Sequence, residues 1–162
     1  MVDAAEQLGD DAGATIHVRS RRFGTFDVPA DRVLTFPQGL IGFPEASRFV
    51  ILEHRPGSPF RWMLSLDDPE LGFAVANPGE LVAGYEPPLE LACRLLQAPA
   101  EHVALFVIVT IPSDPSAMTV NLMAPVVVDT RTRAARQLVL EGSRLGTGHR
   151  VLAAMEPAQP ER

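Results

Sequence analysis

The residues that could do chemistry are few and widely separated in this sequence. Its four histidines, His17, His54, His102 and His149, show no His-x-His or His-x-x-x-His spacing and have no neighbouring cysteine. Metal sites draw their ligands from short, fixed spacings, so these histidines predict exposed or half-buried side chains. The single Cys93 lies on the apolar stripe of a predicted helix, where a small core residue is the expected role.

The composition excludes several kinds of enzyme. All 14 basic residues are arginines, which rules out a Walker A loop, a pyridoxal Schiff base and a lysine nucleophile. Gly-x-Ser-x-Gly is absent, and Gly146 and Gly148 lack the preceding strand and third glycine of a dinucleotide loop. The sequence therefore contains no recognisable catalytic constellation, and we predict no catalytic residue, no cofactor and no metal.

The densest internal acidic cluster is formed by Asp67, Asp68 and Glu70, which flank Pro69 directly after an alternating strand. This composition is typical of a solvent-exposed turn. Exposed carboxylates also recognise basic partners, and buried pairs do acid–base work. We favour the turn, with recognition of a basic protein as the second interpretation.

The most unusual stretch is Phe36–Pro44, an apolar loop that holds two glycines and two prolines. Glycine permits tight turns and proline fixes φ, so the loop either tucks Leu40 and Phe43 under the fold or displays them as an anchor. Core packing is the commoner outcome for such side chains. Asn121 presents a similar choice between a structural clip and a polar contact point, and we favour the clip.

Charge and hydropathy restrict the partners. The formal charge of −6 and pI of about 5.1 oppose attraction to nucleic acid or anionic lipid and favour a basic protein partner. The longest apolar run, Val103–Ile111, is too short to cross a bilayer, and Met1–Gly13 is acidic where a signal peptide is basic. We predict a cytoplasmic protein that contacts neither membrane nor nucleic acid.

The elements that must position these residues are mostly strands. Prolines and glycines divide the chain into short apolar runs, and one segment, with Leu89, Ala92, Cys93 and Leu96 after two prolines and before Pro99, has helical spacing. We predict a mainly β fold, a small antiparallel β-barrel-like single domain over 15–152 with one or two short helices, a disordered segment 1–14 and a flexible tail 153–162. Val103–Ile111 is expected to be a central strand covered on both faces. The predicted strands are Thr15–Arg19, Phe23–Val28, Val33–Phe36, Phe49–Leu52, Trp62–Leu66, Phe73–Ala76, Val103–Ile111, Thr119–Met123, Val126–Val128 and Gln137–Leu140.

Several short motifs occur together in one order along the chain. They are Arg22-Phe-Gly24, Phe36-Pro-x-Gly-Leu-x-Gly-Phe43, Ser65-Leu-Asp-Asp-Pro-Glu-Leu-Gly-Phe73, Asn77-Pro78, Thr119-Val-Asn-Leu-Met-Ala-Pro-Val-Val-Val128 and Gln137-Leu-Val-Leu140. With these motifs in this order, the chain resembles the FliW family of flagellar assembly factors from about Ser20 to Leu152. It departs from the family pattern before His149, where Leu145 and Gly148 replace a tyrosine and an arginine.

The resemblance implies a monomeric, β-barrel-like cytoplasmic protein without enzymatic activity. Such a protein binds flagellin and, when flagellin is scarce, binds the RNA-binding translational repressor CsrA, which then releases flagellin mRNA. On this hypothesis the acidic cluster Asp67, Asp68 and Glu70 meets the repressor, with Leu40, Ile41 and Phe43 as apolar anchors. The alternative is a small barrel enzyme or ligand carrier with an acidic pocket that uses Asp67, Asp68 or His149. A third reading, an oligonucleotide-binding barrel, is disfavoured by the charge and by the single Trp and single Tyr.

Overall fold

The structure, a computed structural model, describes residues 14–53, 55–140 and 149–150. Nearly all of the segment predicted to be disordered, the predicted flexible tail 153–162, and His54, Leu145 and Gly148 lie outside the described residues.

The fold is mainly β, as predicted, with antiparallel sheets and, among the described residues, two short α-helices. Helix α1 spans Pro78–Leu81 and helix α2 spans Leu89–Leu96. Single 3-10 turns occupy Ala30–Arg32, Ala100–His102 and Pro115–Ala117. The strands are β1 Thr15–Ser20, β2 Gly24–Pro29, β3 Leu34–Thr35, β4 Arg48–Glu53, β5 Phe60–Ser65, β6 Gly72–Ala76, β7 Val103–Thr110, β8 Thr119–Val120, β9 Val126–Asp129, β10 Ala135–Gln137 and β11 His149–Arg150.

The main sheet curls until its two edges nearly meet. Its order is β10-β9-β7-β6-β5-β4-β3, and β8 pairs with both β7 and β11. The edge strands are joined by one isolated parallel bridge between Thr35 and Ala134, and the Thr35 N–H donates to the Arg133 carbonyl at 2.9 Å. The sheet is therefore barrel-like, but a single bridge takes the place of a continuous closing ladder.

The alternation of side chains along the strands separates an interior from an outer layer. In β4, Phe49 and Ile51 face the interior cluster, whereas Val50 and Leu52 face outward. The interior includes Phe36, whose ring meets that of Phe49 edge-on at 5.1 Å. The separate β1–β2 hairpin covers Val50 on the outside, so this part of the sheet is buried on both faces.

Strand β7 is central in the sheet, as predicted, but it is not covered on both faces along its whole length. Only Val107 and Val109 are buried, Thr110 is exposed, and Val103–Phe106 are half-buried. The reason is a cavity that opens over the first residues of the strand. The unbroken apolar run in the sequence therefore predicted more burial of the β7 side chains than the structure has.

Several predicted strand boundaries differ from the observed ones; β8, for example, ends at Val120 and not at Met123. The final hairpin strand, predicted at Gln137–Leu140, lies earlier, because β10 spans Ala135–Gln137 and pairs antiparallel with β9. The amides of Leu138 and Leu140 still donate to carbonyls across the hairpin, but outside the strand ladder. Helix α2 ends before Pro99, where Gln97 adopts a left-handed conformation with φ of 56° and donates its N–H to the Cys93 carbonyl. Cys93 itself is half-buried.

Candidate protein-binding surface

The six residues singled out in the sequence lie on two loops at the same end of the barrel. Residues 36–47 connect β3 to β4, and residues 66–71 connect β5 to β6. Because β4 pairs antiparallel with β5, with Phe49 opposite Ser65, the loop that enters β4 lies beside the turn that leaves β5. The fold therefore brings the apolar loop and the acidic turn together.

Asp67 joins these two loops. Its Oδ2 accepts hydrogen bonds from the backbone N–H of Ser47 at 2.8 Å and of Arg48 at 3.0 Å, and its Oδ1 accepts from the Arg48 Nε at 3.1 Å. Burial raises the pKa of Asp67, but the two backbone donors and the Arg48 guanidinium outweigh it, so the net pKa lies below 3.8. This carboxylate stays ionised and holds the entrance of β4.

Glu70 and Asp68 differ in what they hold. Glu70 accepts from the backbone N–H of Arg21 at 2.9 Å and of Arg22 at 3.3 Å, which ties the β1–β2 hairpin tip to the acidic turn. Asp68 Oδ1 accepts only from the Glu70 N–H, at 3.2 Å within the same turn. Of the three carboxylates, Asp68 alone is tied to no other element by a hydrogen bond in the described part of the chain.

The apolar loop divides its large side chains between the interior and the surface. Leu40 is buried in the interior cluster, while Ile41 is 60 % exposed and Phe43 is 40 % exposed. Leu40 and Phe43 exchange backbone hydrogen bonds of 3.1 and 2.7 Å, and Gly42, with φ of +90°, supplies the left-handed position of the turn between them. Leu40 is thus tucked under the fold, whereas Ile41 and Phe43 are displayed at the surface.

The exposed part of the loop is held in place from β10 and β6. The Ile41 N–H donates to the Gln137 side chain at 2.9 Å, the Arg136 guanidinium donates to Gln38 at 2.9 Å, and the Phe43 ring meets Phe73 edge-on at 5.5 Å. A cavity of about 280 Å³ opens beside this loop, lined by residues of the loop and of β10. The sequence carried no signal for these contacts, because Gln38 and Arg136 lie 98 positions apart.

We call the set Ile41, Phe43, Asp67, Asp68 and Glu70 the apolar–acidic surface. Exposed apolar side chains beside carboxylates suit a partner that presents both apolar and basic groups. No group of three or more His, Cys, Asp or Glu side chains is placed to hold a metal ion within the described ranges.

The structure gives no support to the acidic pocket of the enzyme or carrier hypothesis. Asp67 and Asp68 line neither the 280 Å³ cavity nor the larger cavity at the other end of the barrel, and the side chain of His149 lies outside the described residues. The larger cavity, of about 730 Å³, is at the opposite end of the barrel, where β5 begins and β6 ends.

Asn121 has the structural role that we favoured. Its Oδ1 accepts from the backbone N–H of Met123 at 3.0 Å and of Ala124 at 3.1 Å. This clip lies where the chain leaves β8 and enters β9, and both strands pair with β7. The amide therefore stabilises a break in the ladder.

Among the described residues, no helix is long and apolar enough to span a membrane.

Comparison with known proteins agrees with the motif order. The family model described as FliW protein matches residues 17–151. The flagellar assembly factor FliW of Geobacter sulfurreducens is 38% identical over 136 residues, which cover 83% of this chain and 85% of the relative. The FliW protein of Bdellovibrio bacteriovorus is 38% identical over 130 residues, which cover 79% of this chain and 74% of the relative.

A solved structure has the same fold. A crystal structure of the flagellar assembly factor FliW superposes with a TM-score of 0.75 at 30% identity and covers 84% of this chain and 96% of its own. The family match extends over nearly the whole chain and includes both loops of the apolar–acidic surface. On these grounds the chain belongs to the FliW family of flagellar assembly factors.

Proposed function

We propose that this protein is a cytoplasmic flagellar assembly factor, monomeric and without enzymatic activity, that binds flagellin and antagonises the translational repressor CsrA. When flagellin is abundant, this protein is bound to flagellin. When secretion removes flagellin, the free factor binds CsrA, and flagellin mRNA is released for translation. Membership of the FliW family supports this assignment, and the charge of −6 suits a protein that docks on a basic RNA-binding partner.

We assign the CsrA contact to the apolar–acidic surface. The observation that carries the assignment is the exposure of Ile41 and Phe43 on a loop clamped from β10 and β6. Apolar side chains held in one conformation lose little entropy on binding, so they favour affinity. The adjoining carboxylates add attraction for a basic partner, and Asp68 is the one that no other described element holds.

Alanine variants of the two exposed residues test the assignment. For CsrA titrated into Ile41→Ala, Phe43→Ala and the double variant by calorimetry, we expect the double variant to bind at least about thirtyfold more weakly, because central apolar anchors contribute about 2 kcal/mol or more. Leu40→Ala is unsuitable, because Leu40 is buried and its loss would destabilise the fold.

Leu91→Ala is the matched control. Leu91 is 42 % exposed, comparable with Phe43, and lies on helix α2 outside both loops. Its variant should bind CsrA like the original protein. Equal affinity of the double variant and this control for CsrA would reject the apolar–acidic surface as the contact.

A further inference from the structure

The larger cavity lies at the end of the barrel away from the apolar–acidic surface. It has a volume of about 730 Å³ and is lined where β4, β6 and β9 end and where β5 and β7 begin. Its floor is apolar, because Leu34, Ile51 and Phe106 belong to the interior cluster of the barrel. We call this cavity the barrel mouth.

The rim of the barrel mouth is more basic than the rest of the protein. Among the described lining residues, three arginines stand against two glutamates, a balance of +1, whereas the full 162-residue chain has a formal charge of −6. Arg61 and Arg133 are half-buried, and in the described part of the chain neither guanidinium has a hydrogen-bond or ion-pair partner. The other rim charges are Arg32, Glu53 and Glu80.

A buried polar group also lacks a partner at this site. Tyr85 lines the cavity, and its hydroxyl oxygen is buried without a hydrogen-bond partner among the described residues. Burial raises the pKa of Tyr85 above 10.0, so the hydroxyl keeps its proton and can donate at neutral pH. A buried donor without an acceptor costs free energy, and a ligand oxygen would satisfy it.

The two arginines are fixed by the backbone of the barrel. Arg61 lies in the middle of the sheet, paired with Glu53 on β4 and Val75 on β6. Arg133 has a φ of +68°, and its N–H donates to the Asp129 carbonyl at 2.7 Å while its own carbonyl accepts from Thr35. Its backbone is thus held at the seam where the sheet nearly closes. The barrel therefore fixes the backbone positions from which both arginine side chains reach the barrel mouth.

We propose that the barrel mouth binds a polypeptide segment in which an aspartate or glutamate lies beside large apolar side chains. The apolar side chains would cover the floor, and the carboxylate would accept from Arg61, Arg133 and the Tyr85 hydroxyl. Leu89 lines the rim and is 39 % exposed, so the apolar surface of the barrel mouth continues from its floor to its rim. An occupant with several side chains covers this surface, whereas one compact anion does not. A basic protein is disfavoured here, which distinguishes this site from the apolar–acidic surface.

The test uses two labelled peptides and fluorescence anisotropy. One peptide alternates leucine and phenylalanine with glutamate, and its partner carries glutamine in place of every glutamate. We expect the full chain to bind the glutamate peptide about tenfold or more tightly than the glutamine peptide. The reason is that a glutamate carboxylate accepts charge-assisted hydrogen bonds from arginine, whereas a glutamine amide does not carry the charge. Arg61→Gln and Arg133→Gln should each reduce that preference. Glutamine fits position 133, because Gln97 already adopts a similar backbone conformation in this chain.

Arg94→Gln is the matched control, since Arg94 is exposed on helix α2 and lines neither cavity. It should keep the preference for the glutamate peptide. Equal binding of the two peptides, no binding of either, or an undiminished preference in both the Arg61 and Arg133 variants would overturn the proposal. The proposed CsrA contact is tested at the other end of the barrel, so either proposal can fail without the other.

Discussion

The side chains of the acidic turn illustrate how much of a carboxylate's role is decided by its neighbours. Asp67 and Glu70 each accept two backbone N–H groups from another part of the chain, so their charge stabilises the fold whatever else it contacts. Asp68 bonds only within its own turn. A substitution at Asp68 therefore tests electrostatic attraction to a basic partner with the least effect on folding.

The ionisation of Asp67 should make stability depend on pH. Its pKa in the folded protein lies below 3.8, so its contribution is complete above that value and is lost as the pH falls through the folded pKa. Asp67→Asn should lower the free energy of unfolding by about 1–2 kcal/mol at pH 7. The difference from the original protein should shrink in acid, as measured by urea denaturation between neutral pH and pH values below 3.8.

Asp68→Asn is the control, because it removes an exposed carboxylate that accepts one hydrogen bond of 3.2 Å. At pH 7 it should lower the free energy of unfolding less than Asp67→Asn does. A loss in Asp67→Asn that is the same at every pH would contradict the assigned role of the charge.

At the scale of the element, the loop between β3 and β4 is shaped by two glycines with different surroundings. Gly39 has φ of +69°, and a Cβ added to it would lie 2.4 Å from the Pro44 carbonyl oxygen. Gly42 has φ of +90°, but a Cβ there would meet nothing within 4 Å. Both positions require a left-handed backbone, and only Gly39 also requires the absence of a side chain.

Alanine at the two positions should therefore have unequal costs. Gly42→Ala should lower the free energy of unfolding by about 1 kcal/mol, the cost of a left-handed conformation. Gly39→Ala should lower it by about 2–4 kcal/mol, because the backbone of Pro44 must also move. Urea midpoints at an unchanged m-value measure both, and equal losses would show that the close approach of Gly39 to Pro44 contributes nothing.

At the scale of the whole molecule, the near-closure of the sheet creates two ends of different chemistry. One end carries the apolar–acidic surface and the other the basic rim of the barrel mouth. The seam between β3 and β10 holds the barrel together with one bridge, whereas β4 and β5 share five paired positions. The seam is thus the weakest part of the described sheet.

Hydrogen exchange should detect this weakness. The Thr35 amide, bonded to the Arg133 carbonyl across the seam, should exchange through a local opening with a smaller free energy than global unfolding. The β5 amides, in a strand paired on both sides, should exchange only on global unfolding. Native-state exchange followed by NMR in low denaturant measures both classes. Thr35 protection equal to that of β5 would mean that closure is cooperative with the rest of the barrel.

Local patterns in the sequence predicted much of this fold. Alternation and the placement of prolines and glycines indicated most of the strands, and the spacing of Leu89, Ala92 and Leu96 indicated helix α2. The turn at Asp129–Arg133 follows from local chemistry as well, because the Asp129 side chain accepts from the N–H of Arg131 and Thr132 within the turn. Motif order was enough to indicate the family.

Tertiary structure alone decided how buried each candidate residue is and what it contacts. Apolar character is the same for Leu40 and Ile41, yet one is buried and the other 60 % exposed. Asp67 and Glu70 find their donors 19 to 49 positions away, and the barrel mouth is assembled from the ends of several strands. Periodicity reports only which neighbours along the chain share a face. Contacts between distant segments arise when the curled sheet brings its loops together, so no local pattern encodes them.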